Sequence, residues 1–244
     1  MSNPVLIHCH LPKAAGTSLT LMAASIYKEQ CVVIHREPEA PPMSKGLYPL
    51  LRQYWQYARF IEAQTLRAVD DAGLWPETRF ITVLRDPVER FFSWYYFQKE
   101  VLRKGLMLSY SQENLGREVD ARFPSIDEML LTQSNFMTAF YAWLPFGSEM
   151  TSKDLEVAKR ELKNYDYVLT TEILDLLKIV LQDEFPELAA AELPVANTSK
   201  TRRPEQKWSE IVEGAIYNDV SEKMHLDLDL YEFGVSLIHQ KYGV

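Results

Sequence analysis

The stretch "HLPKAAGTSL", residues 10 to 19, joins an apolar run to an apolar-periodic one. A strand that feeds a helix through so tight a turn leaves the first helical N–H groups unpaired and aimed at whatever occupies the loop, and the helix dipole there favours an anion. The residue types suit a phosphate. Gly16 permits close backbone approach, Thr17 and Ser18 bring hydroxyls and helix-start N–H groups, and Lys13 supplies a mobile cation. The same residues also fit a plain turn capped by Thr17, with Lys13 in solvent. They do not make the P-loop of nucleotide kinases, which needs two glycines bracketing four residues and a Lys directly after the second; here Lys13 precedes Gly16.

A second pair of side chains has comparable chemistry. Arg85 closes the apolar run "FITVL", and Ser93 stands seven residues past Asp86, about two helical turns, so its hydroxyl returns to the same helix face. A guanidinium with a hydroxyl beside it is a good phosphate clamp, and Arg suits the task better than Lys. The alternative is that Arg85 pairs with Asp86 or Glu89 and Ser93 only packs. Two anion sites at neighbouring strand ends would imply a ligand with phosphates at both its ends.

The elements that must position these groups are read from periodicity and punctuation. Strands are expected at Val5 to Cys9, Cys31 to His35, Phe80 to Leu84 and within "YDYVLTT". Helices are expected over Thr17 to Lys28, over a long region from Tyr48 to Ala72 with aromatics at helical spacing, and from Pro87 onward. In that last helix Asp86 serves as N-cap and Glu89 as its capping-box partner. Further helices are expected over 126 to 144, 153 to 163, "EILDLLKIVLQDEF" and most of the C-terminal third. Strands interleaved with helices predict an α/β fold: a P-loop-type three-layer domain with a central parallel sheet of about four or five strands flanked by helices. Ligands of such sheets collect at the carboxyl ends of the strands, where both anion loops fall. The chain, residues 1 to 244, reads as a single domain; the stretches 36 to 46 and 194 to 207 read as loops over a site.

Composition narrows the function classes. With 244 residues, 47% hydrophobic and 25% charged, the chain has the make-up of an ordinary soluble globular protein. A formal net charge of −8 argues against general affinity for nucleic acid or anionic membranes. Cys9 and Cys31 sit in apolar runs and give neither a disulfide framework nor metal spacing, which suggests reduced thiols and a cytoplasmic protein. No apolar run has the length of a membrane span, and the N-terminus leaves no room for a signal peptide before the first strand.

Taken together, "HLPKAAGTSL" and "ITVLRDPVERFFSWYYF" resemble the 5′-phosphosulfate loop and the 3′-phosphate motif of sulfotransferases that use 3′-phosphoadenosine 5′-phosphosulfate (PAPS), closest to the carbohydrate branch with the heparan and dermatan 2-O enzymes. "NFMTAFYAW", "AKRELKNYDYVLTTEILDLL", "VANTSKTRRP" and "DLDLYEFG" are similar to later segments of that family, in the same order. The resemblance implies that Lys13, Ala15, Gly16, Thr17 and Ser18 hold the 5′-phosphosulfate and that Arg85 and Ser93 hold the 3′-phosphate. It further implies that Ser199, Lys200 and Arg202 close over the nucleotide. The implied reaction moves a sulfuryl group from PAPS to a hydroxyl or amine of a carbohydrate, lipid or small-molecule acceptor by in-line displacement, with adenosine 3′,5′-bisphosphate as product and no metal. Lys13 would then meet the charge that grows on the leaving oxygen. The acidic balance and the shortness of basic stretches such as "SKTRR" favour a neutral acceptor over a polyanion.

The general base is where the sequence departs from these relatives. They carry a Gly-His pair about twenty residues before the "LRDP" strand ends; this chain has Ala63 and Gln64 there, and Gln cannot take a proton. The replacements on offer are His35, Glu62 and Glu37. His10 reads as support for the loop. Trp94, Tyr95, Tyr96, Phe97, Phe136, Phe140, Tyr141 and Trp143 are either an acceptor pocket or, at helical spacing, core. Two rival readings follow from the same residues: a non-catalytic nucleotide-binding protein of this fold, and a P-loop kinase.

Overall fold

The computed structural model describes residues 4–34, 57–63, 77–106, 112–194 and 206–243, and all structural statements below concern these. Five parallel strands form its centre: β1 (Val5–Cys9), β2 (Cys31–Ile34), β3 (Phe60–Ala63), β4 (Thr78–Leu84) and β5 (Tyr167–Thr170), in the spatial order β2-β3-β1-β4-β5. Helices cover both faces, so the fold is the three-layer α/β arrangement that the strand and helix alternation predicts. β1 and β3 are buried along their whole length, as interior strands of a covered parallel sheet must be, and so is β5 at the edge of the sheet.

On one face lies α1 (Gly16–Tyr27), whose Leu19, Met22 and Tyr27 pack with Leu6, Phe60, Ile81 and Leu169 from the strands. The other face carries α5 (Phe136–Ala142), α6 (Ser152–Leu162) and α10 (His225–Tyr242), packed against Ile7, Cys9, Ile61 and Val168. Gly234 lets α10 approach the sheet, since a Cβ at that position would overlap the Leu84 side chain. Over the carboxyl ends of the strands stands α2 (Pro87–Leu106), whose Val88, Phe91 and Phe92 form a third cluster with Trp208, Val220 and Met224. Between them the chain runs through α3 (Gln112–Arg122), α4 (Ile126–Gln133), α7 (Leu177–Val180), α8 (Pro186–Ala189) and α9 (Gly214–Lys223).

Several expectations need correction. The helical region over Tyr48 to Ala72 contains β3: Phe60, Ile61, Glu62 and Ala63 pair with β1 on one side and β2 on the other, residues 57–59 lead into it without helix, and 48–56 and 64–72 lie outside the described residues. A four-residue apolar run carries too little periodicity to separate strand from helix, and burial between two strands decides it. The helix over 126 to 144 is broken at Asn135, which sits at a positive φ of 49°. Its side-chain oxygen accepts from the N–H groups of Leu226 and Asp227 at the start of α10, while the buried Asp227 carboxylate accepts from Met137 and Thr138 at the start of α5. Each side chain thus caps the other's helix, a gain that offsets the strain of the left-handed residue. The helix over "EILDLLKIVLQDEF" is a 3-10 stretch, Thr171–Leu176, kinked at Ile173 and followed by the single turn of α7.

Candidate functional site

The chain lays β2 and β3 to one side of β1 and β4 and β5 to the other. The order therefore reverses between β1 and β4, and a parallel sheet opens its ligand crevice at the carboxyl ends of such a pair. Both loops that the sequence marks for an anion lie there. Arg85, directly after β4, donates from Nη1 to the carbonyl of Lys13 at 3.1 Å, which ties the two loops into one site.

The loop after β1 is built for an acceptor-poor, donor-rich role. Lys13 and Ala15 both have positive φ, 70° and 59°, although neither is Gly. Such residues are strained by about 1–3 kcal/mol each and collect where the backbone must present its N–H groups inward. Ala15 is the N-cap of α1, in the left-handed region and with no side-chain cap, so the helix starts without the acceptor that an N-cap normally supplies. That finding sets aside the alternative of a plain turn capped by Thr17. Thr17 and Ser18 lie on the first turn, Ser18 largely buried, and the Ser18 N–H reaches back to Ala15 O at 3.0 Å.

Gly16 has a second reason to be glycine. A Cβ there would overlap the imidazole of His10 at Cδ2 and Nε2. We expect Gly16→Ala to lower the thermal midpoint by roughly 2–10 °C, from about 1–3 kcal/mol of overpacking, and expect His10→Ala to recover most of that loss in the double variant. Equal losses in the single and double variants would contradict the contact.

Lys13 is not in open solvent. Its Nζ lies 4.1 Å from the centroid of the Phe97 ring on α2, and its pKa falls to about 8, chiefly because of burial and secondarily through the Arg85 charge. Phe97 is itself 43% exposed, whereas Tyr95, Phe136 and Tyr141 are core residues, as their helical spacing predicts. Tyr96 stacks on Trp208 at 4.4 Å.

Arg85 faces Glu89 at 3.7 Å, so part of the alternative reading for this residue holds; yet both side chains remain at the crevice, and the pair sets the guanidinium's direction. Asp86 caps α2 as expected, accepting from Val88 and Glu89 at 3.0 and 2.9 Å. The Glu89 carboxylate, expected as the reciprocal partner in a capping box, turns instead to the N–H of Trp208 at 2.7 Å, binding α2 to the segment after residue 205. Ser93 is partly exposed on the α2 face that bears Asp86.

Glu62 is buried on β3, opposite His8 in the register, and its carboxylate meets His10 Nδ1 at 2.6 Å. Sequence reasoning missed this pair because 52 residues separate its members and the strand carrying Glu62 was not recognised. His8 lies beneath, fully buried and stacked on His10 at 5.2 Å between centroids; burial, then the His10 charge, holds its pKa well below the usual histidine range. His35, Glu37, Ser199, Lys200 and Arg202 lie outside the described residues, as does Gln64. Among the described residues neither Cys9 nor Cys31 is in a disulfide, and burial raises the pKa of each thiol. Among the described residues no group of three or more His, Cys, Asp or Glu side chains is arranged to hold a metal ion, and no helix is long and apolar enough to cross a membrane.

A parallel sheet with two linked loops at its switch point defines the class of fold, and the comparisons add the family. Residues 2–234 match the family described as Sulfotransferase family, and the chain belongs to that family. A solved sulfotransferase from Alicyclobacillus acidocaldarius is similar over 94% of this chain and 97% of that one, at 14% identity and a TM-score of 0.39. No curated protein matches the chain.

Proposed function

We propose that this protein transfers a sulfuryl group from PAPS to a hydroxyl or amine of a neutral carbohydrate, lipid or small-molecule acceptor, with residues 1 to 244 serving as one sulfotransferase-like domain nearest to the carbohydrate 2-O branch. The observation that carries this reading is the bond from Arg85 to the Lys13 carbonyl, which joins two cationic, donor-rich loops at the switch point of the sheet. A nucleotide with a phosphate at each end of its ribose spans such a pair of loops.

In this reading Ala15, Gly16, Thr17 and Ser18 cradle the 5′-phosphosulfate with backbone N–H groups and hydroxyls. Arg85 and Ser93 take the 3′-phosphate, and Ser199, Lys200 and Arg202 close over the nucleotide. Lys13 leaves the Phe97 ring for the bridging oxygen, where charge develops only as the sulfuryl group departs, and this is the kind of contact that accelerates transfer. The chain also needs a group that takes the acceptor proton, and we look for it at the β3 end of the crevice, where Glu62 stands. The reaction calls on no metal.

Incubation with PAPS and a panel of neutral hydroxyl acceptors, followed as release of adenosine 3′,5′-bisphosphate, tests this. Turnover with PAPS and none with ATP is the expected result. Tight binding of the bisphosphate without turnover on any acceptor would favour the non-catalytic reading, and turnover of ATP would favour a kinase.

A further inference from the structure

The geometry points to His10 as the catalytic base of the transfer, with Glu62 as the positioning residue that holds its ring; this rests on the sulfotransferase reading above. Glu62 Oε1 lies 2.6 Å from His10 Nδ1, and a carboxylate only accepts, so Nδ1 carries the proton and the lone pair of a neutral imidazole is left on Nε2. The Nε2 and Cδ2 edge of the ring is also the edge that would collide with a Cβ on Gly16. Nε2 therefore faces the first residue of α1, inside the loop assigned to the phosphosulfate. Both side chains are largely buried, His10 at 12% exposure and Glu62 at 7%.

The flanks of β1 supply the second argument. β3 and β4 border β1 on opposite sides. His10 is tied to β3 through Glu62 and through its N–H to the Ala63 carbonyl, while Lys13 leans to the other side, with its carbonyl on Arg85 after β4 and its ammonium on Phe97 of α2. A proton acceptor and a cation thus stand on opposite flanks of one loop. In-line displacement asks for that disposition: the acceptor enters opposite the leaving group.

In the step, the acceptor oxygen forms a bond to sulfur as its O–H bond breaks, and the proton passes to Nε2. The bond from sulfur to the bridging oxygen breaks, and its electron pair stays on the 5′-phosphate beside Lys13. The imidazolium so formed is stabilised by Glu62. Among the described residues the titratable groups against the pair are His8 on β1 and Cys31 on β2, whose thiol feels the Glu62 charge; Lys13 and Arg85 bring positive charge on the β4 side, and the first turn of α1 brings no acidic group. His8, buried and held neutral, supports the imidazole without competing for the proton.

The test follows single-turnover release of adenosine 3′,5′-bisphosphate from PAPS with water or a simple phenol as acceptor, for wild type, His10→Asn, Glu62→Gln and His35→Asn, with bisphosphate affinity measured alongside. His10→Asn should lose about 100-fold in rate with its affinity preserved. Glu62→Gln should lose about tenfold, and His35→Asn should match wild type. A His10→Asn protein of wild-type rate, or a rate loss carried by His35→Asn, overturns the assignment. So does a His10→Asn protein whose rate and affinity fall together. Should His10→Asn fail to fold, nitrogen NMR of the wild-type imidazole decides: protonated Nδ1 with bare Nε2 in the neutral ring supports the base, and the opposite tautomer refutes it. A wild-type protein that neither binds the bisphosphate nor turns PAPS over removes the sulfotransferase reading itself.

Discussion

Arg85→Ala should weaken adenosine 3′,5′-bisphosphate binding on the order of 100-fold, measured by titration calorimetry. Charge-assisted hydrogen bonds contribute about 1.5–3 kcal/mol each, and a guanidinium that grips one phosphate through two of them loses enough on truncation to give that factor. Two further effects act in the same direction. Arg85 holds the Lys13 carbonyl, so the strained loop loses a tie, and Glu89 is left facing the phosphate site without the guanidinium that offsets its charge. Arg85→Lys should fall between wild type and Ala, because an ammonium restores the charge without the fork. Unchanged affinity in the Ala variant would remove the clamp.

Lys13→Ala should slow sulfuryl transfer by roughly 100- to 1,000-fold while changing PAPS affinity far less. The reason is timing: the charge on the bridging oxygen is absent from bound PAPS and develops as the sulfuryl group leaves, so the loss falls on the rate. In the free protein burial and Arg85 bring the Lys13 pKa down to about 8. The ammonium is therefore present below about pH 8 and is lost as the pH rises through that value, and bisphosphate binding, which favours the charged form, should weaken above it. Wild type should show this alkaline fall in affinity and Lys13→Ala should not. A fall of equal size in both would place the titration elsewhere.

Much of this site could be read from the chain alone, for identifiable reasons. The two loops that carry Lys13 and Arg85 are each bounded by a strong strand and a sharply announced helix, and β1 and α2 stand where the sequence puts them, to within a residue. Asp86 declares its cap through the Pro that follows it. What escaped the sequence was tertiary. β3 is four residues long, and only its neighbours in the sheet make it a strand. With β3 went the meeting of Glu62 and His10, and so the chemistry of the pair. Glu89 resembles a capping-box partner in any local window, yet Trp208, 119 residues on, takes its carboxylate. The left-handed Ala15 was hidden for a related reason: the sequence offers Thr17 as a cap, and the structure keeps the helix start open. An uncapped helix in a strained loop is a local rule broken where a ligand would restore it.

The most direct measurement is thermal unfolding of the wild-type protein with and without adenosine 3′,5′-bisphosphate, with 5′-AMP and ATP as controls. A ligand at one hundred times its dissociation constant adds about 2.7 kcal/mol of stability, enough to raise the midpoint visibly. The account predicts a rise with the 3′,5′-bisphosphate that neither control matches, because only that nucleotide presents phosphates to both the Lys13 loop and Arg85. A rise with ATP alone, or no rise with any of the three, would contradict it.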